Sequence, residues 1–246
     1  MSDVCIKRKI RNRLLDAGEN IFVQSDDKNT DGYKSLKARA EANKAFGAEL
    51  KNGKKADAQR GYEIACKEWM DVRSFGQVFA FKGSDLSLGI RGPVSVQPAF
   101  SVDPIDITSM QITKSVNSED KEGKSSDTMG MKHRVDFGIY VLKGSINVQL
   151  SEKTGFTEED AEKIKEAIRT LFVNDSSSAR PDGSMVMHKL YWWKHNCKIG
   201  QYSSHKVHNS IEIKKKEGVR NPRKIEDYEI ICHELPELAV EEYEGL

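Results

Sequence analysis

The sequence has no long apolar run, no paired cysteines and no signal peptide. No stretch of the 246 residues approaches the roughly 20 apolar residues that a membrane helix requires. The four cysteines (Cys5, Cys66, Cys197 and Cys232) are far apart and form no C-x-x-C pair, which favours reduced thiols over disulfides or a zinc site. The basic N-terminus is not followed by the apolar segment of a signal peptide. We therefore expect a cytoplasmic protein that does not enter a membrane.

Catalytic and metal-binding motifs are also lacking. SEDKEGKS (118–125) fits the phosphate-loop pattern except at its first position, but it connects two predicted strands and does not lead into a helix. His195, Cys197, His205 and His208 match no zinc spacing, and there is no G-x-S-x-G elbow. We expect no catalytic residue, no metal and no cofactor. A metal-independent RNA-cleaving enzyme needs no motif and remains open as an alternative.

Charge is present in both signs but is unevenly distributed. The net charge is only +1, yet residues 182–224 contain ten Lys/Arg against three Asp/Glu, and residues 225–246 contain eight acidic residues and no Lys or Arg. The stretch CIKRKIRNRLL, which begins at Cys5, holds five basic residues. Such segregation is typical of a protein that binds a polyanion on one surface, although a solvated surface with accidental clustering gives the same pattern.

The first half of the chain shows helical patterns. Ile6, Ile10 and Leu14 predict an amphipathic helix over residues 3–16, with Asp3 as N-cap and Gly18 as the stop. We further predict a short strand over 21–24. Helices over 33–46 and 57–70 would form most of a helical insertion at 25–68.

Strand patterns dominate after that point. FGQVFAF and LSLGIRGPVSV are β-rich, and two further strands flank a charged connection, which predicts a long hairpin with a mobile tip. Residues 135–141 alternate, and after Gly144 the pattern shifts to Ile146, Val148 and Leu150, as a bulge would require. Thr157 predicts a helix to Val173, and MVMHKLYWW predicts a last strand. This order indicates an α+β fold, a ferredoxin-like or RNA-recognition-type unit that lacks its first strand.

Several cations are suited to bind phosphates. Lys7, Arg8 and Arg11 share the outward face of the first predicted helix, and each phosphate contact would strengthen binding in a salt-dependent way. Arg73, Arg91, Lys132 and Arg134 lie beside glycines or strand ends, where a ligand can approach the backbone. Met129 and Met131 would serve either as apolar wedges between bases or as ordinary core residues.

Five motifs in one order give a resemblance to a known family. CIKRKIRN, DVRSFGQVFAF, GIRGPVSV followed by SVDP, TMGMKHRVDFGIYV and NDSSSARP occur between residue 3 and about residue 212. In this order they resemble the backbone subunit of type I-C CRISPR surveillance complexes. That subunit is the guide-RNA-binding Cascade subunit, a member of the repeat-associated mysterious protein superfamily.

The resemblance implies a fold shaped like a hand and a role in antiviral defence. It implies one RNA-recognition-like domain over 1–246, with helical fingers at 25–68 and a thumb hairpin at 101–133. Copies would assemble head to tail along CRISPR RNA and present the guide for pairing with target DNA. The other partners would be the foot or cap subunit at the 5′ end of the guide, the large subunit and the small subunit. A general single-stranded RNA-binding module is the remaining alternative.

The resemblance also implies the RNA-binding residues. They lie in the basic helix, the DVRSFGQ turn, the GIRGP bend, the returning strand of the thumb and the serine-rich loop. These residues are Lys7, Arg8, Lys9, Arg11, Arg73, Gln77, Arg91, Met129, Lys132, His133, Arg134, Ser177 and Arg180. It further implies a palm strand ahead of the basic helix. We expect that strand to be absent or replaced by another segment.

Overall fold

The protein combines helices with short antiparallel strands, which confirms the α+β prediction. The structure, a computed structural model, describes residues 1–52, 57–84, 86–116 and 129–246. In these residues the α-helices are α1 (Asp3–Asp16), α2 (Leu36–Ala42), α3 (Lys44–Lys51), α4 (Ala58–Glu68), α5 (Met70–Phe75), α6 (Val148–Thr154), α7 (Glu158–Arg169) and α8 (Ser204–His208). Two 3₁₀ turns cover Asp26–Lys28 and Ile225–Asp227. None of the described helices is long and apolar enough to cross a bilayer.

The strands of the described residues pair two by two, and every pair is antiparallel. They are β1 (Gly76–Ala80), β2 (Ser87–Arg91), β3 (Val94–Val96), β4 (Phe100–Ser101), β5 (Ile107–Thr113), β6 (Met129–Val135), β7 (Tyr140–Val141), β8 (Gly144–Ile146), β9 (Lys189–Trp193), β10 (Ile211–Lys215), β11 (Tyr228–Cys232) and β12 (Val240–Glu244). The pairs are β1–β2, β3–β8, β4–β7, β5–β6, β9–β12 and β10–β11. The RNA-recognition-like palm stays a prediction.

The chain forms two compact units. The larger unit consists of Met1–Pro98, Leu142–Ser210 and Glu234–Leu246, and the smaller one of Ala99–Val141 and Ile211–His233. The predicted thumb belongs to the smaller unit together with β10 and β11. The single-domain description over 1–246 stays a prediction.

An aromatic core joins the helical segment to the β1–β2 hairpin within the larger unit. The rings of Phe22 and Phe46 lie 5.0 and 4.8 Å from that of Phe79 on β1, and the Trp69 ring lies 4.7 Å from that of Phe22. All four side chains are at most 2% exposed. Tilted contacts at this distance are favourable for aromatic rings, so the insertion is anchored on the hairpin by packing.

The strand predicted over residues 21–24 is wrong. The backbone N–H groups of Phe22 and Val23 donate to the carboxylate of Asp71, at 2.7 and 3.1 Å. Because a side chain of α5 accepts these two hydrogen bonds, the segment needs no strand partner to satisfy them.

Local capping residues set the helix boundaries. The prediction of α1 is confirmed, but its N-cap is Ser2, which accepts from the Cys5 N–H at 3.2 Å, and not Asp3. Thr157 forms a capping box with Asp160, as a cap at this position predicts, although α7 ends at Arg169 and not at Val173. The single helix predicted over 33–46 is wrong, because Asn43 is extended and caps α3.

A second helix also ends earlier than predicted. The helix predicted over 57–70 ends at Glu68, since Trp69 is extended and the Met70 N–H donates to the Asn20 carbonyl at 2.9 Å. The chain then begins α5. This short helix places Asp71 and Arg73 beside the first helix and α7.

The long hairpin is confirmed in its strands. β5 and β6 pair over seven positions, from Ile107↔Val135 to Thr113↔Met129. The predicted mobile tip, with the SEDKEGKS segment, lies at 117–128, outside the described residues. The alternation predicted over 135–141 is wrong for 136–139, because the chain leaves the ladder where the Asp136 carboxylate binds Thr108 and Arg134.

The strand predicted to continue to Leu150 is also wrong. β8 ends at Ile146, and the Asn147 side chain then accepts from the Leu150 N–H at 2.9 Å and caps α6. An N-cap at this position turns the apolar pair Val148 and Leu150 into helix residues.

The last predicted strand finds its partner in the acidic C-terminal segment. β9 pairs with β12 over five positions, centred on Tyr191↔Glu242. On α7, Lys165 Nζ lies 3.0 Å from a Glu241 carboxylate oxygen and 5.5 Å from the Trp192 ring centroid. One lysine of α7 therefore holds both strands of this pair.

Candidate nucleic-acid interface

The basic helix α1 has one fully buried face. Ile6, Ile10 and Leu14 are at most 1% exposed, and α1 packs against α7. The cations on the remaining surface of α1 have different environments. Those environments decide which of them are available to a ligand.

Arg8 and Lys7 lie toward solvent. Arg8 is exposed and makes no ion pair with a described residue. Its charge contributes to a lowered pKa of Asp27, after the larger effect of a hydrogen bond from Ser25. Lys7 is partly exposed and lies 3.6 Å from Asp3, one helical turn earlier. An exposed i,i+4 pair is weak, so Lys7 can exchange this contact for a phosphate.

Lys9 lies inside the protein and connects α1 to the serine-rich loop. It is 1% exposed, contacts the Asp175 carboxylate and lies 5.3 Å from the Phe172 ring centroid. Arg180 approaches the same carboxylate, with Nε at 3.4 Å, and its side chain is 30% exposed. Exposed Ser177 exchanges two backbone hydrogen bonds with Arg180, at 2.8 and 3.0 Å. The structure thus brings two of the predicted segments together around Asp175.

Arg11 is also part of an internal ion pair. Its Nε lies 2.8 Å from the Asp71 carboxylate, which is fully buried, and its guanidinium lies 5.0 Å from the Phe75 ring centroid. Asp71 is the acceptor that also holds residues 22 and 23. Arg11 therefore balances a buried charge that organises three segments of the larger unit.

Arg73 forms a bidentate pair with Asp160 on α7. The distances are 2.9 Å from Nε and 2.7 Å from Nη2, and the Thr157 N–H donates to the same carboxylate at 3.0 Å. Burial acts to raise the pKa of Asp160, but the hydrogen bonds from Arg73 and Thr157 together hold that pKa below its ordinary value. The predicted RNA contact of Arg73 would have to come from the 17% of its side chain that is exposed.

Arg91 and Gln77 lie on the β1–β2 hairpin. Arg91 is exposed, pairs across the strands with Gly76 and makes no ion pair with a described residue. Gly76 and Gly92 do not leave open space for a ligand, because a Cβ on Gly92 would lie 2.5 Å from the Gly76 nitrogen. The half-buried Gln77 donates to the Val78 carbonyl at 2.9 Å. Arg91 is thus the accessible cation of this bend.

The β5–β6 hairpin, here called the arm, is exposed on both faces. All seven residues of β6 are exposed, as are six of the seven on β5. Because strand side chains alternate, Met129 and His133 lie on one face and Lys132 and Arg134 on the other. Met129 and Met131 are 64% and 57% exposed, so the core interpretation of these methionines is wrong.

The arm contains two polar contacts at its base. The Ser109 hydroxyl lies 2.8 Å from His133 Nδ1 on one face. On the other, Arg134 binds Asp136 at 2.8 Å, and the Thr108 hydroxyl donates to the same carboxylate at 2.6 Å. Lys132 makes no ion pair with a described residue.

The acidic partners were missed by sequence reasoning. Asp71, Asp160 and Asp175 each hold one or two of the predicted cations. Only Asp160 could have been recognised from the sequence, because the third residue after an N-cap such as Thr157 is often an acidic partner of that cap. Within the described parts of the chain, no group of His, Cys, Asp and Glu side chains is arranged to hold a metal ion.

Exposed cations on an α+β fold define a candidate nucleic-acid-binding protein. The family model described as CRISPR-associated protein Cas7 matches residues 1–233 of the 246, and the chain belongs to this family. Its members are CRISPR-RNA-binding backbone subunits of CRISPR effector complexes that act in antiviral defence, which confirms the predicted resemblance at the level of the family. The type I-C subtype stays a prediction. No curated protein sequence matches the chain.

Proposed function

We propose that the chain is the backbone subunit of a type I-C Cascade complex in the cytoplasm. Copies bind CRISPR RNA along its spacer and assemble head to tail, and the filament presents the guide for pairing with target DNA. The foot or cap subunit, the large subunit and the small subunit complete the complex. The family match over residues 1–233 carries this proposal, and two structural features support its details.

The exposed arm supports assembly. A two-stranded hairpin without a covering element is at best marginally stable in water, yet the arm exposes Ile107, Met129 and Met131 by 57–65%. Apolar side chains on an exposed hairpin are stabilised when another molecule covers them. In a filament, RNA and the next copy would do so.

The accessible cations of the larger unit support RNA binding. Arg8 and Arg91 are exposed and form no ion pair with a described residue, so a phosphate can bind them without first breaking one. Arg180 and Lys7 are partly exposed with long contacts to their carboxylates. Lys9, Arg11 and Arg73 form ion pairs inside the larger unit and stabilise its fold.

Light scattering of the purified chain with single-stranded RNAs of increasing length tests the proposal. We expect the mass of the complex to grow in steps with RNA length and to collapse at high salt. Arg8→Glu with Arg91→Glu should prevent growth, whereas Lys34→Glu with Lys82→Glu, two exposed loop lysines, makes the same charge change and should not. A mass that stays at one chain per RNA would leave only a single-stranded RNA-binding module.

We also propose that the chain does not cleave RNA. Among the described residues, the Ser109 hydroxyl and His133 lie 2.8 Å apart, as a hydroxyl and a base would in a catalytic pair, but both are exposed on the arm. Incubation of the protein with a labelled CRISPR repeat RNA should give no cut product. Cleavage that disappears in His133→Ala would overturn this proposal and favour the endoribonuclease alternative.

A further inference from the structure

A second cationic surface lies in the smaller unit, at the connection between β10 and β11. Residues 216–224, here called the basic turn, contain four basic residues and one acidic residue, Glu217. The four basic side chains are all exposed, and none makes an ion pair with a described residue; they are Lys216, Arg220, Arg223 and Lys224. The strand lysines beside them differ, because Lys214 binds Glu212 at 2.9 Å and Lys215 binds Asp103 at 3.1 Å.

Backbone hydrogen bonds around Asp227 hold the basic turn in place. The Asp227 carboxylate accepts from the backbone N–H groups of Arg223 and Lys224, at 2.8 and 3.2 Å. The Lys216 N–H donates to the Asp227 carbonyl at 2.9 Å, and the Val219 N–H donates to the Lys216 carbonyl at 3.1 Å. Three cations therefore lie near a single carboxylate, and the basic turn keeps a net positive charge that an anion can balance.

The basic turn lies next to the base of the arm. The pKa of Asp136 is lowered first by the Thr108 hydroxyl, then by Arg134, and also by the nearby charge of Arg223. Arg134 binds Asp136 at 2.8 Å, and the rings of Phe137 and Tyr228 lie 6.4 Å apart. The β10–β11 hairpin therefore packs against the base of the arm within the smaller unit. A guanidinium binds phosphate oxygens through paired N–H donors, and a row of such groups suits a phosphodiester backbone.

We propose that the basic turn is a second binding surface for a nucleic-acid backbone, continuous with the base of the arm. The phosphates would belong to the guide RNA or to the DNA strand that pairs with it. This inference rests on the proposed function, since both sources require a guide-binding chain.

The test measures binding of a fluorescent single-stranded RNA, and then binding of the complementary DNA strand to the RNA-loaded protein. Lys216→Glu with Lys224→Glu is compared with the loop control Lys34→Glu with Lys82→Glu, which has the same charge change. At about 0.1 M salt each phosphate contact contributes roughly fivefold to affinity, so two lost contacts should weaken binding on the order of 25-fold and reduce the salt slope by about 1.4. Lys216→Gln with Lys224→Gln, which adds no negative charge, should also weaken binding and reduce the salt slope.

The outcomes separate the two sources and the two proposals. Weaker RNA binding in the turn variants alone assigns the surface to the guide; unchanged RNA binding with weaker DNA capture assigns it to the paired strand. Variants that match the loop control in both steps overturn the inference while the proposed function stands. A wild-type chain that binds no RNA overturns both. Thermal unfolding of each variant at the wild-type temperature confirms that the exposed substitutions leave the fold intact.

Discussion

Arg8 and Arg11 are one helical turn apart on α1, and a pair of alanine substitutions should separate a folding role from a binding role. Arg11 holds the fully buried Asp71 at 2.8 Å, whereas Arg8 is exposed without a described ion pair. Arg11→Ala leaves the Asp71 carboxylate with only two backbone donors. Loss of one partner from a buried ion pair costs about 3–5 kcal/mol. Arg8→Ala changes an exposed side chain and should alter the free energy of unfolding by less than about 0.5 kcal/mol.

Tryptophan fluorescence in a urea titration measures this difference. The chain has three tryptophans, and all of them lie in the larger unit together with Arg11: Trp69, Trp192 and Trp193. Arg11→Ala should unfold at a lower urea concentration than wild type. In a thermal melt, a loss of about 3–5 kcal/mol in the free energy of unfolding corresponds to a fall of roughly 6–20 °C for a protein of this size. The same proteins are then titrated with single-stranded RNA. Arg8→Ala should lose about fivefold in affinity at 0.1 M salt while it keeps the wild-type urea midpoint.

The reasoning would be refuted by the reverse pattern. If Arg11→Ala unfolds at the wild-type urea concentration and loses RNA affinity as Arg8→Ala does, then the pair with Asp71 contributes nothing and Arg11 is a surface cation. Arg11→Lys provides a further control, since it keeps the charge but not the planar guanidinium over the Phe75 ring. We expect it to be intermediate in stability.

Three further predictions concern a buried pair, a glycine and the arm. Burial opposes ionisation of Asp160, but the hydrogen bonds from Arg73 and Thr157 hold its pKa below the ordinary 3.8. The ionised carboxylate therefore stabilises the folded state above pH 3.8, and this contribution is lost as the pH falls through the folded pKa. Acid unfolding should show that Asp160→Asn is less stable than wild type at neutral pH and that the difference shrinks at low pH. Gly76→Ala should lower the free energy of unfolding in the urea titration by more than about 1 kcal/mol. Its φ is +82°, and a Cβ there would lie 2.3 Å from a carbonyl oxygen of β2. Gly89→Ala is the control, because its Cβ meets open space and the substitution should cost less. Lys132→Glu should weaken RNA binding at an unchanged melting temperature, and equal RNA affinity would remove the arm from the interface.

Periodicity predicted the first helix and which of its cations lies farthest from the buried face. At about 100° per residue, Arg8 lies about 160° from the centre of the stripe formed by Ile6, Ile10 and Leu14, and the structure exposes it. Lys9 and Arg11 lie about 100° from that centre, at the edges of the stripe. Whether an edge position is buried depends on what packs there, and the sequence does not contain that information locally.

Distant acceptors explain two of the wrong predictions and the unexpected burial of one lysine. The strand predicted over 21–24 failed because its hydrogen bonds go to Asp71, about 49 residues further along the chain. The burial of Lys9 depends on Asp175, which is 166 residues away. By contrast, Thr157 was predicted correctly because its capping partner lies only three residues away. Patterns report contacts within a few residues, whereas ion pairs between elements follow from the tertiary fold.

Asp175 shows why the distribution of partners matters for an RNA-binding surface. It is shared by Lys9, which is 1% exposed, and Arg180, which is 30% exposed and lies 3.4 Å away. If Arg180 turns to a phosphate, Asp175 keeps Lys9 and no charge is left buried without a partner. If Lys9 were withdrawn instead, its ammonium would have to leave a site closed to solvent. Arg180 is therefore the exchangeable cation, and Lys9 keeps the carboxylate paired in both states.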